Sequence, residues 1–273
     1  MQPLSINIRR VYFFGFLALF LVCLPIALLF ASGYRFDNQL GFVRTGGIFI
    51  SVPYADATVL LNGREVGTSG ILKRGFYLDG IAPGSYVMSV IREGSLPWYR
   101  TLVVEQEIVS DAHVLLIRNK IEAIPLSSKI TTSTSTRTIS LADHDAYRKA
   151  FSVLPATSTP GSGGEELFVE KGNVYVRLVD DASLPASKFC VRPSSCVREI
   201  PIEQGTQMAT NAMYFGGAIV YVTKEGGVFL SEADVRPTPV SAPLYSRRNA
   251  DARIIDGTLI IKDGAQFYEI ERL

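Results

Sequence analysis

The chain has 273 residues, 27 basic against 26 acidic side chains, and 47% hydrophobic residues. That length suits one or two ordinary domains with room for a buried core. Balanced charge lacks the footprint of a nucleic-acid binder, and two histidines with three cysteines argue against a multi-ligand zinc or iron–sulfur site, so no cofactor is expected.

Arg9 and Arg10 are the sole charged side chains before residue 35. From Val11 to Ser32 the chain reads VYFFGFLALFLVCLPIALLFAS, a charge-free run. As a helix rising about 1.5 Å per residue it spans roughly 33 Å, enough for a hydrocarbon core of about 30 Å. Pro25 is tolerated in such a helix. A cleaved signal peptide is the alternative, but the run exceeds the usual apolar core of about 7–15 residues. A cut after Ala31 would also put Leu29 where a small residue belongs, and Leu21-Val-Cys23 is a poor lipoprotein cleavage pattern. Residues 11–32 therefore read as an uncleaved anchor whose partner is the lipid bilayer. Arg9-Arg10 on one flank, against Arg35 and Arg44 tempered by Asp37 on the other, favours a cytoplasmic N-terminus. The expected localisation is single-pass in the cell membrane, with a ten-residue tail (1–10) inside and the body outside.

A juxtamembrane segment (33–45) leads into residues 46–118, where short apolar runs alternate with turn signals. Gly47-Ile-Phe-Ile-Ser-Val52 reads as a strand stopped by Pro53, and Thr58-Val-Leu-Leu61 runs into the hairpin signal Asn62-Gly63. Asp79-Gly80 and Ala82-Pro83-Gly84 read as further turns, with strands over Tyr86–Ile91, Trp98–Val104 and His113–Ile117. Six or seven strands in about 70 residues predict a small β-sandwich.

This segment resembles a PEGA domain, a small β-sandwich module of bacterial and archaeal surface proteins. The matching stretches are Gly47-Ile-Phe-Ile-Ser-Val-Pro53, Val59-Leu-Leu-Asn-Gly63, Pro83-Gly84-Ser-Tyr86, and Glu93-Gly94 leading to Leu96-Pro-Trp-Tyr99. The eponymous tetrapeptide is replaced by Pro53-Tyr-Ala-Asp-Ala57, one residue longer. The resemblance implies an extracytoplasmic, non-catalytic module and supplies no site residues.

Residues 119–165 read as a linker rich in Ser, Thr and Gly, with the tracts Thr131–Thr136 and Ala156–Gly164 as flexible spacers. Between them Ser140-Leu-Ala-Asp143 resembles a capping box, and Tyr147, Ala150, Phe151 and Leu154 follow at helical spacing, predicting a short helix stopped by Pro155.

Residues 166–273 contain an internal repeat. Gly172-Asn-Val-Tyr-Val-Arg177 recurs as Gly217-Ala-Ile-Val-Tyr-Val222 and as Gly257-Thr-Leu-Ile-Ile-Lys262, and the last two are followed by a turn and another strand. An all-strand period of this length resembles β-propeller blades, but three units fall short of the usual four to eight. An open blade-like sheet region, closure with residues 119–165 or a partner, and consecutive hairpin meanders all fit the count. The predicted fold is thus an all-β exoplasmic part, a small β-sandwich plus a blade-like antiparallel β-sheet region, behind one transmembrane helix.

No nucleophile elbow, zinc-protease helix or phosphate loop occurs, so an enzyme is not expected. Asp143-His144-Asp145 places carboxylates beside an imidazole, but sequence neighbours do not face one another on a helix. His113 reads as a strand or edge residue, and Asp180-Asp181 lacks the further oxygens of a calcium loop. Trp98 and Tyr99 are the candidate ligand-contact aromatics. Adjacent strand residues face opposite ways, so one ring is expected in the core, Trp98 by preference, and the other exposed. Cys190 and Cys196 are the cysteines outside the membrane segment, and Pro193-Ser-Ser195 can turn the chain between them. An exoplasmic setting favours their disulfide over free thiols. The expected function is a membrane-anchored, non-catalytic binding or structural module of the cell envelope, whose partner is an envelope protein or a surface glycan. An envelope hydrolase, or an accessory subunit completing a partner's propeller, is the alternative.

Overall fold

The computed structural model describes residues 6–37, 41–128, 136–179, 185–204 and 208–270. Helix α1 (Ile6–Ala31) contains Pro25 and meets the described chain beyond it at its C-terminal exit, where Arg35 contacts Phe30, its side chains from residue 7 onward being exposed. It is long and apolar enough to cross a membrane. Strands β1 (Tyr34–Asp37) and β2 (Gly41–Arg44) form a hairpin that returns the chain to the helix exit. The predicted spacer over 131–136 lies almost wholly outside the described residues.

Two sheets follow, face to face. They draw on β3 (Gly46–Ser51), β4 (Ala57–Leu61), β5 (Arg64–Thr68), β6 (Gly75–Ile81), β7 (Gly84–Arg92), β8 (Trp98–Val104) and β9 (Val109–His113). One sheet runs β6-β3-β9, with β9 parallel to β3, and the other β5-β4-β7-β8. Asn62 and Gly63 both take positive φ, and the Asn62 carboxamide oxygen accepts from Val87 N–H at 2.8 Å, as a two-residue hairpin turn requires. Asp79-Gly80 does not turn the chain. The pairing slips between Gly46–Ile81 and Ile48–Leu78, so the two residues form a bulge inside β6, with Gly80 supplying the left-handed φ.

The predicted strand at 113–117 is displaced towards the N-terminus. Beyond β9, residues 114–117 lie outside any strand ladder but buried, with backbone hydrogen bonds to Ser51 and Leu96 at their ends, and their side chains alternate between two cores. Val114 and Leu116 join Ile48, Val59, Met88 and Trp98 inside the sandwich, while Leu115 and Ile117 join Val220, Leu230 and Ile261 beyond it.

The second part begins with β10 (Ala123–Ser127) and β11 (Arg137–Thr138), then helix α2 (Leu141–Ala150). The strands β12 (Ser158–Pro160), β13 (Glu165–Glu170) and β14 (Asn173–Leu178) lead to a short hairpin, β15 (Cys190–Arg192) with β16 (Ser195–Cys196). Then come β17 (Glu199–Glu203), β18 (Ala209–Phe215), β19 (Ala218–Thr223), β20 (Gly227–Ser231) and β21 (Ser241–Tyr245). The chain ends in β22 (Asp251–Ile255), β23 (Thr258–Asp263) and β24 (Gln266–Ile270). They build three sheets: β12-β13-β14-β17, β18-β19-β20-β21, and β22-β23-β24-β10 with β11 at its edge. The sequence repeat marks one hairpin in each sheet, β13–β14, β18–β19 and β22–β23. Lys171-Gly172, Gly216-Gly217 and Asp256-Gly257 all take positive φ, so each repeated glycine completes a left-handed turn before β14, β19 or β23.

Two linker readings change. Ser158–Pro160, inside the predicted spacer, pairs with β13, and Ala123–Ser127 pairs with the C-terminal strand β24. Neither segment carries the long apolar alternation of a central strand; Ala123–Ser127 is placed by a partner far away in sequence, and Ser158–Pro160 by the neighbouring β13 across a short loop. Helix α2 forms as expected: Ser140 Oγ accepts from Asp143 N–H at 3.0 Å, and the Asp143 carboxylate accepts from Ser140 N–H at 3.3 Å. Its Tyr147 and the following Phe151 lie against Phe267, with Leu126 and Ile260, on the third sheet's outer face. The sheets do not close into a ring, and α2 covers one end of the array.

Phe267→Ala should lower the unfolding free energy of the full chain in detergent by about 3–5 kcal/mol, because it empties the centre of that contact. Leu154→Ser, at an exposed position just past the helix, should change it by less than about 0.5 kcal/mol. Denaturant titration distinguishes the two.

Candidate functional site

Strand β8 alternates Trp98, Arg100, Leu102 and Val104 inward, and all four are buried. An arginine in that register needs counter-charges. They arrive from the segment after β20. The Arg100 guanidinium pairs with the Glu232 carboxylate, and one of its N–H groups donates to Arg236 O at 3.1 Å and Pro237 O at 3.2 Å. Its Nε has no hydrogen-bond partner; the nearest carboxylate oxygen, Asp234 Oδ2, lies 3.8 Å away. Trp98 Nε1 donates to both Glu232 oxygens at 3.3 Å, and Val240 N–H donates to the same carboxylate. Arg236 grips Asp234 through two N–H groups at 2.8 and 2.5 Å and donates to Asp111 O at 2.7 Å. This ion cluster joins the sandwich to the second sheet of the array.

Burial pushes the Glu232 carboxyl above its ordinary value of 4.5, against the lowering pull of Arg100, and the charge of Asp234 adds to the rise. A carboxyl raised on folding contributes stability that is complete below its unfolded value and is lost as pH climbs through the folded one.

Beside the cluster an open cleft of about 830 Å³ separates the sandwich from the first two sheets of the array. Its polar lining includes Asp111 and His113 at the end of β9, Ser187 and Lys188 on a 3₁₀ turn, Glu165 at the start of β13, and Tyr214 of β18. Lys188 Nζ and Glu165 Oε2 form a 2.6 Å ion pair with Glu165 nearly buried. Burial, then the charge of Glu165, raises the pKa of the Tyr214 phenol. Gly161 makes this packing feasible, since a Cβ there would lie 2.7 Å from Glu165 Cγ and 2.8 Å from the Tyr214 hydroxyl oxygen.

Ser187, Asp111 and His113 share the cleft, but not in an order suited to nucleophilic catalysis. Ser187 Oγ donates to Asp111 Oδ2 at 2.8 Å, and His113 Nδ1 stands 3.9 Å from that same oxygen. The hydroxyl's hydrogen bond goes to the aspartate and not to the imidazole, unlike the order of a Ser–His–Asp triad. Among the described residues no group of three His, Cys, Asp or Glu side chains could hold a metal ion.

Trp98 is fully buried and its indole N–H is committed to Glu232, so it is no ligand platform. Tyr99 faces outward, about half exposed. Cys190 and Cys196 form a disulfide across the β15–β16 hairpin. Beside it, Ser194 donates to Glu105 of the sandwich through N–H at 2.9 Å and Oγ at 2.7 Å, which holds the hairpin against that domain. His144 packs on Phe267 and Asp143 caps α2, so these two have structural roles, Asp145 is exposed, and Asp180-Asp181 falls outside the described residues. Sequence reasoning missed the cleft residues. One signal was available: the inward-facing Arg100 in an otherwise apolar alternation. No protein-family model matches the chain, and no curated protein matches it.

Arg100→Met should cost about 3–5 kcal/mol of unfolding free energy, since it strands buried carboxylates, whereas Tyr99→Ala should stay within about 0.5 kcal/mol. Glu232→Gln, fixed in the neutral form, should lose less stability than the native chain as pH rises from about 4.5 to 7.5. Denaturant midpoints across that range read the difference. Replacing both Cys190 and Cys196 by Ser should lower stability by about 2–3 kcal/mol, and both thiols should resist alkylation until the native protein is reduced.

Proposed function

We propose that this chain is a single-pass membrane protein of the cell envelope whose β-rich body stands outside the cytoplasm and works as a non-catalytic binding module. The cleft between the sandwich and the blade-like sheets is its ligand site. The carrying observation is a roomy cleft, apolar over much of its lining but with several convergent polar groups, whose walls are held by a buried ion cluster and whose serine is bonded to an aspartate. Lys188 and Glu165 already neutralise each other at the cleft wall, while hydroxyls or amides can join the existing network. That favours a neutral, hydrogen-bonding ligand such as a surface glycan or the backbone of an envelope protein.

The Arg9-Arg10 flank and the Cys190–Cys196 disulfide support the exoplasmic placement. The sandwich supports the PEGA-like reading through its Asn62-Gly63 hairpin and Pro83-Gly84 connection. The accessory-subunit reading needs an open end on the array, and α2 occupies one of the two.

A photo-crosslinking side chain at His113 in intact cells should form adducts that one at Leu154 does not. Absence of adducts at His113 would sink the binding reading, and Ser187-dependent turnover of an ester or peptide would favour a hydrolase. Protease added to wall-stripped cells should digest the body and leave only the N-terminal fragment.

A further inference from the structure

The β1–β2 hairpin is a two-stranded sheet that pairs with no other. Its register sets Tyr34 opposite Arg44 and Phe36 opposite Phe42, so these four side chains share one face. Phe36 and Phe42 meet edge to face at 5.4 Å, yet they remain 65% and 66% exposed. An isolated hairpin is marginal in water, and this one presents its aromatic pair outward.

Both ends of the hairpin are tied to the exit of α1. Thr45 donates to Gly33 O through N–H at 3.1 Å and Oγ1 at 2.9 Å. Arg35 donates to Phe30 O at 3.1 Å, with its guanidinium 5.0 Å from the Phe30 ring. Arg44 donates to the Tyr34 hydroxyl at 2.9 Å, lies 5.1 Å from that ring, and pairs with Glu107 of the sandwich at 2.6 Å.

We propose that the Tyr34–Phe36–Phe42–Arg44 face lies in the headgroup layer of the bilayer, so that the protein meets the membrane through an aromatic hairpin as well as a helix. The inference rests on the reading of α1 as a membrane anchor. Lipid is the occupant because the face continues the lipid-facing surface of the helix: Phe36 is five residues past Ala31, at most about 17 Å of extended chain. Tyrosine, phenylalanine and arginine at that depth are the composition of a membrane-interface belt, with arginine stems able to reach the headgroups. A second protein is a poorer fit. Two phenyl rings offer roughly 300–500 Å², against about 800 Å² per partner in a stable interface. Because the interfacial layer is only about 5–8 Å thick on each side, the hairpin must lie along the surface, and the Thr45–Gly33 bonds then hold the sandwich at a fixed height.

Tryptophan fluorescence in liposomes containing brominated lipids tests this on the full chain. Trp98 is the single native tryptophan and is buried, so the unsubstituted protein supplies the background. Phe42→Trp should lose at least about half of its added emission to bromines near the headgroup end of the acyl chain, and much less to bromines at the bilayer centre. Phe20→Trp, within the helix, should show the reverse. Quenching at position 20 with none at position 42 overturns the hairpin proposal and leaves the anchor standing. No quenching at either position overturns both. Phe36→Trp replaces Phe42→Trp should the latter fail to fold, with the same outcomes.

Discussion

One buried cation fixes how the two halves of the body meet. Apolar faces attract without direction, and the sandwich could cover its end against the array in many orientations. Arg100 allows few. Its guanidinium is a planar fork, fully buried, and it must find the Glu232 carboxylate and the Arg236 and Pro237 carbonyls together. Replacing such a cluster by well-packed apolar residues can leave stability unchanged or improve it, so its contribution is better described as specificity of orientation than as net binding energy. The cleft inherits that orientation, because Asp111 and Asp234 both touch Arg236 and both line it.

The apolar contact agrees with the polar one. Residues 114–117 alternate like a strand, sending Val114 and Leu116 one way and Leu115 and Ile117 the other. A strand edge ordinarily faces core on one side and water on the other; here both sides are core. The boundary between domains, placed at 118 from composition, therefore runs through a shared element. Separation of the two parts would expose two sets of apolar side chains and an uncompensated arginine at once, which opposes it.

What could be read from the sequence was local. Twenty-two uncharged residues cannot be other than a candidate span, Asn62-Gly63 can hardly be other than a hairpin, and the repeated glycines encode left-handed turns wherever they sit in space. Ser140 and Asp143 announced α2. The illegible features are mainly those set by distant partners. Ala123 pairs with Ile270 through backbone groups that every residue carries, so nothing local announced that strand, and the Ser- and Thr-rich run around Ser158 concealed a second one that pairs nearby, with Phe168. Gly161 was counted as spacer for the same reason, although its missing Cβ is what lets Tyr214 approach Glu165. The inward arginine was visible in the alternation of β8, yet nothing near Glu232 in the chain marks it as the counter-charge.

The same logic explains why the first sheet of the array departs from the other two. In the second and third sheets a tight turn returns the chain at once, from β19 to β20 and from β23 to β24. In the first, the return from β14 to β17 is interrupted by an excursion that carries the 3₁₀ turn and the disulfide hairpin. That excursion brings Ser187 to Asp111, Lys188 to Glu165 and Ser194 to Glu105, three contacts that a tight turn could not reach. Such a loop would carry a large conformational freedom if it were free, and the Cys190–Cys196 bond removes part of that freedom from the unfolded chain. The repeat therefore supplies the scaffold, and the excursion that interrupts it supplies Ser187 and Lys188 to the cleft, next to a hairpin held by both strand pairing and a covalent link.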